Sequence, residues 1–342
     1  MSALDDFKAR LPKGVRDNIR TVVDVETKKY ETASIGLNWA LNGGIGQGRI
    51  TLLYGDSGAG KSLLMLQSIA EWQKQGLICG YLDSEGTVTR EFAARLGVDV
   101  DSLIYWNKKT FASATNEILP YLRAGIDILV VDTFSDLLPE QFMEKDGTVK
   151  EFDGNKQVGA HSRNTTVMLN MMHTEIQPNT AIVMMSQTTT DLSGMHAVQV
   201  PHGGKKIFFK VSSAIHLTSS RFISQQILQT IDGNQTPVGR EVTATVKKNK
   251  FGPEMRTAKW NMYYEGSSGK LGIDFDKELV DLACFYNVID RGSTGWMKWR
   301  DINKQGAKNF LKEVTPEQIK EIKKELETAM YGVIHEDEEY GN

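Results

Sequence analysis

The chain has 342 residues, 40 Lys+Arg against 43 Asp+Glu for a net charge of −3, and 40% apolar residues. That is enough for one large domain with a small companion, and no stretch approaches the ~18 to 20 uninterrupted apolar residues of a membrane span. Two distant cysteines, Cys79 and Cys284, exclude a disulfide framework or a Cys-x-x-Cys metal pair, and the near-neutral balance leaves any nucleic acid to be met by local Lys and Arg clusters.

In chain order, the opening "MSALDDFKAR" has no secretory apolar region, which implies the cytoplasm. Residues 1–33 are polar and of mixed charge, with a short helix expected over 4–11, and read as an arm for oligomerisation. From residue 50, short apolar runs ("ITLLYG", "LICGYLD", "IDILVVD", "TAIVMMSQ") alternate with helical stretches at 62–75, 112–123 and 165–175. Such alternation predicts an α/β core with a mostly parallel central sheet, whose ligand loops gather at the carboxyl ends of the strands. Two long polar connections, residues 139–163 and 188–204, interrupt the rhythm, and loops of that length in a compact domain are usually functional or disordered. From about residue 271 short helices and Trp-containing turns predict a small C-terminal α+β domain to residue 330, followed by an acidic tail over 331–342. The α/β core would then occupy 34–270, with the two long connections inside it.

The stretch Gly55, Asp56, Ser57, Gly58, Ala59, Gly60, Lys61, Ser62 fits G-x-x-x-x-G-K-[ST] and lies between a predicted strand and a predicted helix. Glycines there let backbone N–H groups close around phosphate oxygens, and the helix N-terminus adds its positive dipole end. Lys61 would reach the β- and γ-phosphates, and Ser62 would ligate Mg²⁺. Asp132 ends the strand "DILVVD", the place for a carboxylate holding that magnesium through water or Ser62. In "YLDSEG", Asp83 and Glu85 share a face if the strand continues, and a carboxylate there can deprotonate the attacking water; the turn at 84–86 re-aims Glu85 if it does not. Gln187 closes "VMMSQ" as an uncharged amide able to hydrogen-bond a γ-phosphate.

The ordered set "YGDSGAGKS", "YLDSEG", "ILVVDT", "MMSQ", "HGGKKIFFKVSSAIHL", "VKKNKFGP" and "GIDFDKELVDLACFYNVID" resembles the bacterial RecA recombinase family and its phage-encoded strand-exchange relatives over about residues 24–330. The resemblance implies an ATP- and Mg²⁺-dependent recombinase that forms helical filaments on single-stranded DNA and pairs it with homologous duplex DNA. It gives Lys61, Ser62 and Asp132 the phosphate and metal roles, Glu85 the role of base, and Gln187 that of γ-phosphate sensor. It also implies that Tyr264 contacts adenine, that Phe209 packs into the neighbouring protomer, and that Lys248 and Lys250 reach the next protomer's ATP. The two long connections match the family's DNA-binding loops. Arg163, Lys205, Lys145, Lys150, Lys156 and Lys206 are candidates for phosphates, Gly203 and Gly204 for backbone contacts, and Met195 or Val198 for wedges between bases.

The chain departs from the family at Thr89, where an Asp is common, at Phe92, where a Tyr is usual, and in the second loop, which carries His196 and His202. These departures fit a phage-type relative and bear on nucleotide preference. Two other readings stay open. A hexameric helicase or ring ATPase shares the motifs but would close a ring. A small-molecule P-loop kinase would need an Arg-rich lid, which neither long loop supplies.

Overall fold

Residue alternation decides where the core lies. In the computed structural model, which describes residues 3–16, 28–144, 146–150, 159–191, 198–202, 206–219, 226–264 and 270–332, the apolar runs join a ten-stranded sheet. Its strands are β1 Arg49–Gly55, β2 Cys79–Asp83, β3 Ile104–Trp106, β4 Ile128–Asp132, β5 Ala181–Ser186, β6 Ser213–Ser219, β7 Gln226–Ile231, β8 Asn234–Asn249, β9 Thr257–Tyr263 and β10 Gly272–Ile273. The spatial order is β10-β9-β8-β6-β1-β5-β4-β2-β3, with β7 paired to β8. From β6 to β3 all neighbours are parallel. The edge beyond β6 is antiparallel.

The main helices are α1 Lys61–Lys74, α2 Phe111–Ala124 and α3 Ala160–Glu175. Leu53, Ile128, Val130, Val183 and Met185 pack with Leu64, Met65 and Ile69 of α1 on one face. Ile50, Leu52, Leu129, Val131, Ile182 and Met184 pack with Ile118 and Leu122 of α2 and Met168, Leu169 and Met172 of α3 on the other. Consecutive residues of one strand enter opposite clusters because side chains alternate, so strands covered on both faces must be apolar throughout. Each fully buried Leu or Ile contributes roughly 1.5–3 kcal/mol relative to exposure. This rigid slab fixes the carboxyl ends of β1, β2, β4 and β5, where the predicted site residues lie.

A third cluster, with Leu279, Val280, Trp299, Phe310, Ile322 and Leu326 at its centre, sits apart from the sheet. Helix Phe275–Phe285, three short antiparallel strands over 290–305, and helices Ala307–Glu313 and Pro316–Tyr331 supply it. Thr315 and Gln318 form a capping box at the start of the last helix. Helix Ile35–Ala40 lies at the seam with this cluster: Trp39 Nε1 donates to Met330 O at 3.1 Å. Ser34 Oγ and Gly36 N donate to Glu278 Oε1 at 2.6 and 3.1 Å.

Several elements differ from expectation. Helix α3 begins at Ala160, five residues earlier than the apolar spacing indicates, so Arg163 stands on its first turn instead of in the preceding loop. The connection over 188–204 contains a hairpin, Thr188–Asp191 against Val198–Pro201, and Val198 is an exposed strand residue. The last strand of the main sheet, β10, falls after residue 270. Strand β8 ends at Asn249, so Lys248 lies within the strand and Lys250 just beyond it. Met195, Gly203, Gly204, Lys205, Lys145, Lys156, His196 and the acidic tail from residue 333 lie outside the described residues.

Candidate active site

The loop after β1 is shaped by what crosses it. Gly58 and Gly60 take φ of 74° and 91°, a region that favours glycine. A Cβ on Gly60 would lie 2.6 Å from Met262 Sδ of β9, and one on Gly58 3.3 Å from Arg240 Nη2 of β8. The antiparallel edge of the sheet therefore lies against the loop, and the positive φ at both positions favours glycine there. Gly60 ends the loop without a side-chain cap on α1, in contrast with α2, which Thr110 caps. The first N–H groups of α1 are thus left to the loop's ligand.

Lys61 is buried, and its Nζ donates to Gly55 O at 2.8 Å and Asp56 O at 3.1 Å. Burial lowers its pKa, opposed by the charges of Asp132 and Glu85. Ser62 Oγ donates to Asp132 Oδ2 at 2.6 Å, and Tyr81 OH donates to the same oxygen. Burial raises the Asp132 pKa, while the Ser62 and Tyr81 hydrogen bonds favour its ionised form. The donors here are hard oxygens, one hydroxyl and one carboxylate, which suit a Mg²⁺ that takes its remaining ligands from phosphate and water. No group of three or more His, Cys, Asp or Glu among the described residues could hold a metal by itself.

Strand β2 stops at Asp83, and the chain turns. Asp83 is fully buried and accepts from Gly86 N at 2.6 Å, Val88 N at 3.0 Å and Tyr105 OH at 3.0 Å. It builds the turn, and Glu85 is swung into the cleft, where Gln187 Nε2 donates to its Oε1 at 3.3 Å. Burial first, then the negative charge of Asp132 and a hydrogen bond with Asp136, push the Glu85 pKa up. That moves the carboxyl toward the range of a useful general base.

Gln187 joins the cleft to the second long connection. Its N–H donates to Ser135 Oγ at 3.0 Å, and its carbonyl accepts from His202 N at 3.0 Å. His202 stacks edge-on to His161 of α3, ring centroids 4.3 Å apart, so the roots of both long connections meet behind Gln187. The hairpin also touches the P-loop: Thr188 Oγ1 donates to Asp56 Oδ1, and Gln199 Nε2 approaches the same carboxylate at 3.4 to 3.5 Å.

A cleft of about 270 Å³ is lined by Ser57, Gly58, Gly60, Lys61, Ser62 and Leu63 on one side. Glu85, Asp132, Thr133, Gln187, Arg240, Met262 and Tyr264 close the other. The structure thus brings together the predicted loop, Glu85, Asp132, Gln187 and Tyr264. It does not bring Phe209, Lys248 or Lys250 there. Phe209 is 79% exposed on the short helix Lys206–Lys210. Lys248 Nζ donates to Phe208 O and, at 2.9 Å, to Val211 O, clamping the end of that same helix, and Lys250 is exposed. Arg240, Tyr81 and the Asp56 contact escaped the sequence reading, although Arg240 interrupts a β-forming run, "GREVTATV", as a visible charge.

The family model for the RecA N-terminal domain matches residues 2–268. Protein RecA of Wolinella succinogenes is 32% identical over 318 residues, covering 90% of this chain and 83% of its own length. Protein RecA of Campylobacter jejuni subsp. doylei is 30% identical over 309 residues, covering 87% and 84%. That of Gluconobacter oxydans is 31% identical over 332 residues, covering 95% and 90%. A match across the loop, both acidic strand ends and the antiparallel edge is far more than a shared phosphate loop would produce, and the chain belongs to the RecA family.

Proposed function

We infer that this RecA-type recombinase, a DNA-dependent ATPase, hydrolyses ATP in the cleft between the P-loop and the ends of β2, β4 and β5. The observation that carries the reading is the pairing of Ser62 with Asp132 and of Glu85 with Gln187 in one cleft. The α1 N–H groups and Lys61 hold the β- and γ-phosphates. Glu85 takes the proton of the attacking water, and burial beside Asp132, which raises its pKa, strengthens it as a base. Gln187 orients that water or the γ-phosphate without adding negative charge. Ser62 and Asp132 would hold a Mg²⁺, which would neutralise charge on the phosphates.

Contact of Gln187 with the phosphate shifts His202 and the hairpin through the hydrogen bonds at its backbone, and this ties nucleotide state to the loops that meet single-stranded DNA. Arg163, Lys150 and Lys206 meet phosphates there, with no sequence read directly. Phe209 packs on a neighbouring copy, and Lys248 and Lys250 act on the ATP of that copy, so head-to-tail contacts build an open filament that pairs single-stranded with homologous duplex DNA. Among the described residues no helix is long and apolar enough to cross a membrane, in keeping with a cytoplasmic site of action. The test is ATP hydrolysis with and without single-stranded DNA, read beside particle shape. Stimulated hydrolysis by filaments is expected; hydrolysis by closed rings, or a rate indifferent to DNA, would overturn the reading.

A further inference from the structure

Among the described residues Arg240 stands in the cleft without a counter-charge. It lies on β8, paired with Met262 of β9 and Gln226 of β7. Its Nη2 is 3.3 Å from the position of a Cβ on Gly58, and its guanidinium carbon is 5.3 Å from the centroid of the Tyr264 ring. Nη1 reaches Ser219 Oγ only at 3.4 Å, and the buried Nε has no hydrogen-bond partner. Among the described residues no carboxylate pairs with it; the adjacent Glu241 pairs with Lys259 instead. A partly buried guanidinium with an unpaired N–H is costly unless an anion approaches. The neighbouring loop is itself a phosphate cradle.

We propose that Arg240 is a phosphate-binding residue acting in cis, a second cation that grips a nucleoside di- or triphosphate from the β8 side of the loop while shielding one face of Tyr264. The inference rests on the reading of this cleft as the nucleotide site. Lys61 approaches from the start of the loop, at the Gly55 and Asp56 carbonyls. Arg240 approaches from Gly58, so the two cations bracket the phosphates. The planar fork of Arg suits two phosphate oxygens, or one oxygen and a bridging position, better than a lysine would. Stacked over Tyr264, the guanidinium leaves the opposite ring face to the base. Because the contact is made as soon as nucleotide binds, it contributes to ground-state and transition-state binding alike, and its loss appears mainly in affinity.

The experiment is titration calorimetry of ADP and of adenosine, without DNA, on the full chain and on Arg240→Gln, Arg240→Lys and Lys61→Ala. Arg240→Gln should lose ADP affinity by about tenfold or more, as expected for a charge-assisted contact, with adenosine affinity unchanged, and Arg240→Lys should recover part of the loss. The KM for ATP on single-stranded DNA should rise by a similar factor with a smaller change in kcat. Thermal melting without nucleotide verifies that the variants fold. If Lys61→Ala loses ADP binding while Arg240→Gln keeps it, or if Arg240→Gln weakens adenosine as much as ADP, the phosphate role is wrong and the nucleotide site stands. If Lys61→Ala also binds ADP normally, the reading of the cleft itself falls.

Discussion

The nucleotide cleft and the corner carrying Phe209 are built on opposite plans. In the cleft, Arg240 apart, the charged and polar side chains named above find partners within the chain: Lys61 on carbonyls, Ser62 and Tyr81 on Asp132, Gln187 on Glu85. At the corner, a large aromatic is 79% exposed, Lys248 is held to the backbone of the helix that presents it, and Lys250, two residues on, is exposed. The contrast separates binding from turnover. On the proposed function, one chain holds what is needed to bind nucleotide, whereas the corner's groups act against another copy.

The largest effect tests the self-contained side. Lys61→Ala should abolish hydrolysis on single-stranded DNA, because the γ-phosphate loses its charge clamp. A wild-type rate in that variant would sink the phosphate-loop assignment. Next comes the outward side. Lys248→Ala with Lys250→Ala should keep ADP affinity in the absence of DNA and lose about 10³-fold in hydrolysis, the scale of cationic fingers supplied in trans. Because Lys248 also clamps the helix end, Lys250→Ala alone is the cleaner variant for the finger role. Mixing the double variant with Lys61→Ala should restore part of the activity, since each supplies what the other lacks. An inactive mixture of proteins that demonstrably co-assemble would place the lysines outside the neighbour's site.

A smaller loss, about 10²-fold, is expected for Glu85→Gln with nucleotide binding retained. The pH profile sharpens it. A base acts only when deprotonated, and burial raises the Glu85 pKa, so in the wild type hydrolysis should fall on the acid side at a higher pH than an ordinary carboxylate would give. An acid limb unchanged in Glu85→Gln would assign that limb to another group. Smaller still is the effect of Thr188→Val, which removes the hydroxyl bound to Asp56. A few-fold change in the ratio of DNA-stimulated to basal hydrolysis is expected, and no change would mean that the hairpin and the P-loop are not coupled there.

The two regions also differed in how far they could be read from residues alone. The loop, Asp132, Glu85 and Gln187 were legible because each ends an apolar strand, and parallel strands deliver their ends to one edge. Asp83 was readable as a carboxylate but not as the builder of the turn, since that depends on Tyr105 and two N–H groups brought in by β3 and the chain beyond Gly86. The early start of α3 was hidden because its first turn, Ala160 to Arg163, is polar and Gly159 supplies no capping side chain. Arg240 and Asp56 gain their meaning only from strands and hairpins distant in sequence. No periodicity along one element carries that information.

The buried carboxylate at the seam with the C-terminal cluster gives a final contrast with Asp132, and its effect falls on stability, not on turnover. Asp132 receives two hydroxyl donors on one oxygen, whereas Glu278 has Oε1 bound to Ser34 and Gly36 and Oε2 buried without a partner. Burial outweighs those bonds and pushes the Glu278 pKa up from 4.5 to about 7. The folded protein therefore holds this proton more tightly than the unfolded chain. The linkage contribution is full below pH 4.5, is lost progressively as pH rises toward about 7, and is constant above that. It amounts to a few kcal/mol at most, on the order of 1.4 kcal/mol per unit. Glu278→Gln, which mimics the protonated form, should flatten the pH dependence of denaturant unfolding between pH 5 and 8 and gain stability relative to wild type at the alkaline end. The acid limb of hydrolysis, proposed above for Glu85, should stay where it is. Stability slopes that match in the two proteins would show that Glu278 ionises without penalty, through a partner for Oε2 that relieves its burial.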